Sequence, residues 1–198
     1  VAQDVLLRLR DARTDPDVFR QMAHRLSLLL AIEATRDLPT RAHTVQTPVG
    51  PATGAALDAD VVVVPVLRAG LGMLPAVLEV VPTARVGHVG LQRDEATAVA
   101  SQYYAKFPAE LGGSYVLLVD PMLATGGSAV AALDLLRSLG ASHVRMLSIV
   151  AAPEGIAKVE AAHPDAHIYT PVVDEGLNAH KFIVPGLGDF GDRLYGTA

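Results

Sequence analysis

The chain has 198 residues, 51% hydrophobic and 19% charged, which suits one packed domain of ordinary size and excludes a disordered chain. Its net charge of -5 excludes a general nucleic-acid binder, whose affinity comes from lysine and arginine neutralising phosphates. The absence of cysteine excludes disulfides, thiolate chemistry and cysteine zinc sites. The longest candidate for a membrane span, Leu26 to Ile32, is far short of the ~18 residues that one needs. With no basic stretch and apolar core at its start, the chain is expected to carry no secretion signal and to work in the cytoplasm.

Asp15-Pro16 reads as a helix start, with Asp15 at the N-cap and Pro16 in the first turn. Phe19, Met22, Ala23, Leu26 and Leu30 recur at helical spacing until Leu38-Pro39 stops the run. Ala42 to Leu57, rich in Thr and Val and broken by Pro48, Gly50, Pro51 and Gly54, predicts a β-hairpin. Val61 to Val64 is a continuous apolar run, as in a strand buried on both faces of a parallel sheet. Similar runs cover Arg85 to Leu91, Tyr115 to Val119, Val144 to Val150 and Ile168 to Val173. Helices are predicted between them at Leu71 to Val80, Ser128 to Leu139 and Pro153 to Ala162.

Such alternation predicts an α/β fold with a doubly wound, mainly parallel sheet behind an N-terminal helix and hairpin. One domain is expected over 1–198, with the helix and hairpin in 1–58, the α/β core in 59–174 and a loop region in 175–198. Gln92 to Gly113 and Asp174 to Ala198 fall outside the pattern. Long irregular stretches in a compact α/β domain are functional loops or surface insertions.

The most informative stretch runs Val119-Asp120-Pro121-Met122-Leu123-Ala124-Thr125-Gly126-Gly127-Ser128. A strand ends at Asp120 and a helix starts near Ser128, so a glycine pair and two hydroxyls sit at a helix N-terminus. Backbone N–H groups there lack intrahelical partners and face the positive end of the dipole, which makes a phosphate cradle. Thr125 and Ser128 can add hydroxyl donors, and Gly126 and Gly127 allow close backbone approach. Asp120 stands at the carboxyl end of its strand, where ligands bind in open α/β sheets, and its carboxylate can accept from two vicinal ribose hydroxyls.

Rival motifs fail on context. No glycine precedes Lys106, Lys158 or Lys181, so there is no Walker A loop, and no G-x-S-x-G elbow occurs. Gly186-Leu187-Gly188-Asp189-Phe190-Gly191 matches G-x-G-x-x-G, yet only seven residues follow it, too few for the helix and strand that motif needs. His163 and His167 have metal-like spacing, but Pro164 divides them and both are expected to be solvated.

Asp120 to Ser128 resembles the phosphoribosyl pyrophosphate (PRPP) signature of type I phosphoribosyltransferases, in the wording of the uracil phosphoribosyltransferase branch. Glu33 to Pro39, Pro65 to Met73 and Ile183 to Gly196 carry the same resemblance, in order along nearly the whole chain. It implies transfer of a phosphoribosyl group from PRPP to N1 of uracil, giving UMP and pyrophosphate. The implied PRPP set is Arg68, Arg93, Asp120, Pro121, Met122, Leu123, Ala124, Thr125, Gly126, Gly127, Ser128 and Asp189, with Arg68, Arg93, Asp120 and Asp189 closest to the chemistry. Ile183 would line the base pocket, and Gly188, Asp189 and Phe190 would read uracil through backbone groups. Tyr103, Tyr104 and Lys106 fall in a loop expected to close over the substrate.

The resemblance also implies Mg²⁺ as cofactor. Most branches carry two adjacent acids; Val119 stands in place of the first, so substrate oxygens and water are expected to hold the metal without direct side-chain ligation. A homodimer or higher homo-oligomer is the family expectation, and a GTP effector, seen in some relatives, is left open. Phe190 replaces a common alanine; its ring is expected inward beside base carbon C5, with outward packing as the alternative. Asp192 and Arg193 are expected to pair with each other. Another base as substrate, or a nucleotide-responsive regulator that keeps the fold and binds RNA, are the competing readings; the acidic balance counts against the second.

Overall fold

The computed structural model describes residues 1–93 and 100–197, with side chains described throughout except at Gln92, Arg93, Ala100 and Ser101. Two helices open the chain, α1 (Ala2–Arg10) and α2 (Pro16–Thr35), and an antiparallel hairpin follows, β1 (Thr40–Thr47) with β2 (Gly50–Leu57). Next come β3 (Val61–Leu67), a 3₁₀ turn at Ala69–Gly72, α3 (Leu74–Val80), β4 (Arg85–Val86), β5 (His88–Arg93) and β6 (Ala100–Lys106). The second half runs β7 (Tyr115–Val119), β8 (Met122–Leu123), α4 (Gly127–Ser138), β9 (His143–Leu147), β10 (Val150–Ala151), α5 (Pro153–Ala162) and β11 (His167–Tyr169). It closes with β12 (Gly176–Leu177), β13 (Ile183–Val184) and α6 (Phe190–Tyr195).

Across the main sheet the order is β11-β9-β7-β3-β5-β6, with β4 also on β3. Its pairings are parallel except β5 with β6. The valine run accounts for its centre. Val61 and Val63 join Leu117, Val119 and Leu147 in one core, beneath α1, α2, α3 and α6. Val62 and Val64 join Val116, Leu118, Val144 and Met146 in the other, beneath α4 and α5. With helices on both faces the sheet is doubly wound, as the alternation predicts.

Several local expectations are corrected. No element was expected before Asp15, yet α1 buries Val5, Leu6 and Leu9 against the core. The segment is short, and the exposed Leu7 beside these three blurs the apolar period. Asp15 takes the N-cap position of α2 but makes no side-chain cap hydrogen bond. The supposedly irregular Gln92 to Gly113 contains β6, an antiparallel strand with Lys106 opposite His88 and Tyr104 opposite Gly90. His163 is not solvated: it is buried, with Nε2 3.0 Å from the Asp134 carboxylate, and joins the end of α5 to α4. His167 lies apart at the exposed start of β11, and among the described residues no three His, Asp or Glu side chains gather as metal ligands. No described helix is long and apolar enough to cross a membrane.

Two polar anchors tie the N-terminal helices to the rest. Arg145 of β9 is 8% exposed; it donates to both Asp37 oxygens (2.5 and 3.1 Å) and to the Ala34 carbonyl (2.6 Å), fixing the end of α2 to the sheet. Arg193 of α6 does not pair with Asp192. It donates to the carbonyls of Leu9, Asp11 (2.6 Å) and Leu187 (2.8 Å), and stands 4.5 Å over the Phe19 ring. Asp192 instead faces Arg68 at 3.4 Å.

Phe190 corrects another expectation. Its ring is 1% exposed and meets Phe19 edge-on, with centroids 5.1 Å apart at 62°. The ring is thus held in the core between α2 and α6, and does not stand free as a stacking surface for a base. Phe190→Ala is therefore expected to lower the unfolding free energy by about 3–5 kcal/mol in denaturant titration, the range for truncating a fully buried phenylalanine. A loss below about 1 kcal/mol would place the ring outside the core.

Candidate active site

The carboxyl ends of β3 and β7 lie side by side at the middle of the sheet. Parallel strands aligned in this way gather their following loops at one edge, the usual ligand position in such sheets. β3 delivers Arg68 and the turn at Ala69–Gly72. A Cβ on Gly70 would collide with the Val119 carbonyl, so glycine lets this turn press against the end of β7.

Beyond β7 the chain forms the expected cradle. Asp120, Thr125, Gly126, Gly127 and Ser128 surround a small cavity of about 60 Å³ at the start of α4. Gly126 is the N-cap, at φ 75°, with no side-chain cap hydrogen bond. Val130 N–H is the one that returns to the Gly126 carbonyl, so the amides of Gly127, Ser128 and Ala129 precede the helical ladder. The two glycines have different duties. A Cβ on Gly126 would stand 2.8 Å from the Gly155 carbonyl, at a left-handed φ, so the fold itself requires glycine there. A Cβ on Gly127 would touch nothing closer than 3.7 Å, so the fold leaves that position open. A built Cβ there would also lie 3.8 Å from Lys158 Nζ, which α5 brings to the cradle. No linear signal marks Lys158, because crossover packing of α5 against the loop places it.

Asp120 is recessed at the end of β7, and desolvation pushes its carboxyl up to about 7 against one long hydrogen bond from Met122 N–H at 3.4 Å. Its own backbone is fixed, the N–H to Leu147 and the carbonyl accepting from Ser148 Oγ at 2.7 Å. Pro121 is buried, and its carbonyl accepts from Ile149 and Val150, which makes it part of the loop's frame.

Met122 and Ala124 line the cradle and also a second cavity of about 290 Å³. Around the latter stand Ala69, Lys181, Ile183, Gly188, Asp189 and the Phe190 segment. Ile183 is buried, with β13 paired to β12. One oxygen of Asp189 caps α6 by accepting from Asp192 N–H at 2.9 Å. Among the described residues, neither the N–H nor the carbonyl of Gly188 has a hydrogen-bond partner in the protein. His180, Lys181 and Phe182, at the turn of the β12–β13 hairpin, also line this cavity and were not foreseen. Lys181 has a φ of 65°, unusual for a side-chain-bearing residue, and only the folded turn reveals it.

Arg68 lines neither cavity, although its neighbour Ala69 does. Its guanidinium is exposed, with the 3.4 Å contact to Asp192 and the Tyr195 ring at 5.9 Å. Arg93 ends β5, and its side chain lies outside the described residues. Tyr103, Tyr104 and Lys106 stand on β6, and none lines either cavity. A larger hollow of about 530 Å³ lies between α2, the 3₁₀ turn and α6, but no cradle residue borders it.

The family model described as uracil phosphoribosyltransferase matches residues 1–197. A uracil phosphoribosyltransferase of Dictyoglomus thermophilum is 48% identical over 198 residues, covering 100% of this chain and 96% of that one. The solved structure of the AQ2163 protein from Aquifex aeolicus is similar at a TM-score of 0.94 and 36% identity, over 100% of this chain and 95% of that one. An adenine phosphoribosyltransferase from Thermoanaerobacter pseudethanolicus, at a TM-score of 0.52 and 17% identity over 84% of each chain, shares the fold alone. That likeness bears out the phosphoribosyltransferase architecture read from the sequence. On the match across its length, the chain belongs to the uracil phosphoribosyltransferase family.

Proposed function

We infer that the protein transfers the phosphoribosyl group of PRPP to N1 of uracil, releasing pyrophosphate and UMP, in pyrimidine salvage. The observation that carries this reading is the pairing of two cavities through Met122 and Ala124: one at a helix start with no side-chain cap, the other lined by Gly188, whose N–H and carbonyl have no protein partner among the described residues. The first suits the 5′-phosphate. The second suits a flat base with alternating donors and acceptors.

The N1–C1′ bond forms as the bond from C1′ to the pyrophosphate oxygen breaks, and the N1 proton passes to solvent. Such substitution runs through an oxocarbenium-like state, so the work of the protein is alignment and charge stabilisation. Amides 127–129 hold the 5′-phosphate, with Lys158 close by. Asp120 accepts from the ribose hydroxyls, a duty that needs its ionised form. Arg68, loosely held by Asp192 and exposed, turns to the leaving pyrophosphate, and Arg93 joins it. Gly188, Asp189 and Phe190 present backbone groups to uracil beside Ile183.

Mg²⁺ fits this donor set. The cradle offers one recessed carboxylate, Asp120, and no described cluster of three ligands, which suits an ion that keeps its waters and takes phosphate oxygens. Bound with the substrate, it would neutralise charge on the diphosphate. The cytoplasm as location and a homo-oligomeric state complete this reading, on the family resemblance.

Three outcomes test it. Gly127→Val fills a position that the fold leaves open, so it should abolish PRPP binding by calorimetry with the melting temperature nearly unchanged; retained affinity in the folded variant would remove the cradle from the site.

Ionisation of Asp120 gives the second outcome. Its folded pKa lies above the unfolded value, so the folded apoprotein holds this proton longer, and its stability falls as pH rises from about 4 to about 7. Asp120→Asn should therefore melt above the wild type at pH 8, with the gap narrowing below about pH 7 and closing only near pH 4, while its PRPP affinity is weak throughout. In the wild type, affinity should drop as pH falls through about 7. Identical melting curves for the two proteins at pH 8 would contradict the desolvated carboxyl.

Base choice is the third. Uracil N3 donates where cytosine N3 accepts, so a backbone acceptor set for uracil leaves cytosine with opposed acceptors. A preference of about 10⁴-fold in kcat/KM is expected. Comparable turnover of the two bases would rule out backbone reading of uracil.

A further inference from the structure

The segment from Ile183 to Asp189 carries little that could hold it in shape by itself. Ile183 is buried and paired through β13, but beyond it Gly186 and Gly188 have φ of 56° and 80°, and Leu187 between them is the buried side chain. Glycine loops lose much chain entropy on ordering, so a loop of this kind reads a ligand well only when other groups fix its backbone.

Those groups come from the opposite end of the chain. Arg10, the last residue of α1, donates through Nη1 to Asp174 Oδ2 (2.8 Å) and to the Gly186 carbonyl (2.7 Å), and through Nη2 to Asp174 Oδ1 (2.6 Å). The Gly186 N–H in turn donates to Asp174 Oδ2 at 2.9 Å. Both peptide groups of Gly186 are therefore consumed by one ion pair, whose carboxylate is 3% exposed and whose guanidinium is 19% exposed. One residue further on, Arg193 ties the Leu187 carbonyl to the carbonyls of Leu9 and Asp11. Immediately after these two fixed residues comes Gly188, exposed at the wall of the cavity, whose N–H and carbonyl have no protein partner among the described residues.

We propose that Arg10 is a positioning residue for the base: with Asp174 it locks the peptide groups of Gly186, so that those of Gly188 present a donor and an acceptor to uracil in a set direction. The proposal rests on the reading that the cavity beside Gly188 receives uracil. Geometry favours this role over plain structural stabilisation. A bidentate fork that merely joined α1 to the body would have no reason to spend a donor on Gly186, two residues from the open peptide. Arginine is the residue suited to it, because only a planar guanidinium reaches two carboxylate oxygens and a carbonyl together. Lysine keeps the charge but not that fork.

Steady-state kinetics on Arg10→Lys and Arg10→Ala test this, with uracil and PRPP each varied at saturation of the other. Arg145→Lys is the matched control, since it breaks the same kind of fork with Asp37, on elements that line neither cavity. Arg10→Lys should raise KM for uracil by about tenfold or more, because small misplacement of a reading group is costly, and should narrow the preference over cytosine. Its KM for PRPP should stay within about twofold, and Arg10→Ala should shift the uracil KM further in the same direction. If Arg10→Ala fails to fold, Arg10→Lys decides alone. A rise of both KM values together, an unchanged KM for uracil, or the same pattern in Arg145→Lys would overturn the positioning role. A wild-type enzyme without activity on uracil would instead overturn the assignment of the cavity, and the proposal with it.

Discussion

Strands buried on both faces constrain everything else here. Val62, Val63 and Val64 of β3, like Val116 to Val119 of β7, have no exposed surface, so neither strand can carry a polar group along its length. Helices must cover both sides, and the connections that allow this are parallel crossovers. Polar chemistry is thereby pushed to the strand ends, where Arg68 follows β3 and Asp120 follows β7. The close approach of Gly70 to the Val119 carbonyl then sets those two ends against each other.

At that edge the structure tolerates several local costs. The start of α4 has glycine as its N-cap and no side-chain cap hydrogen bond, which costs a few tenths of a kcal/mol relative to a good cap. Asp120 is desolvated without a charged partner among its hydrogen bonds, and the exposed Gly188 has no protein partner for its N–H or carbonyl among the described residues. These groups share one property: a ligand with phosphate, hydroxyl and amide edges would satisfy all of them. Their clustering at one edge is a stronger argument for a site than any one of them.

Much of this was legible in the chain. The glycine pair after Asp120 is a local signal, because a strand end, a turn and a helix start all fall within ten residues. The same holds for α5, bounded by Pro153, and for the β1–β2 hairpin with its breakers. Short-range sterics decide such elements. Where the reading failed, the deciding partner lay far away in sequence. Phe190 turns into the core because Phe19 of α2 awaits it, and Arg193 leaves its neighbour Asp192 for carbonyls at the end of α1. His163 is buried because α4 brings Asp134 to it.

By itself, then, the sequence determined the strand–helix alternation, the glycine turn at the start of α4 and the family, since each is written in contiguous residues whose backbone preferences are local. Only the tertiary structure decided which glycine the fold requires, as a Cβ on Gly126 would meet the Gly155 carbonyl at 2.8 Å while one on Gly127 would meet nothing closer than 3.7 Å. It also decided that α1 exists as a helix with a buried face, that Lys158 stands at the cradle, and that Arg10 meets Asp174 and Gly186 across the chain. The physical reason is the same for each. Hydrogen bonds and contacts between residues on different elements, from 29 positions apart for Gly126 and Gly155 to 164 for Arg10 and Asp174, depend on how the crossovers pack, and no periodicity of the linear chain records that packing.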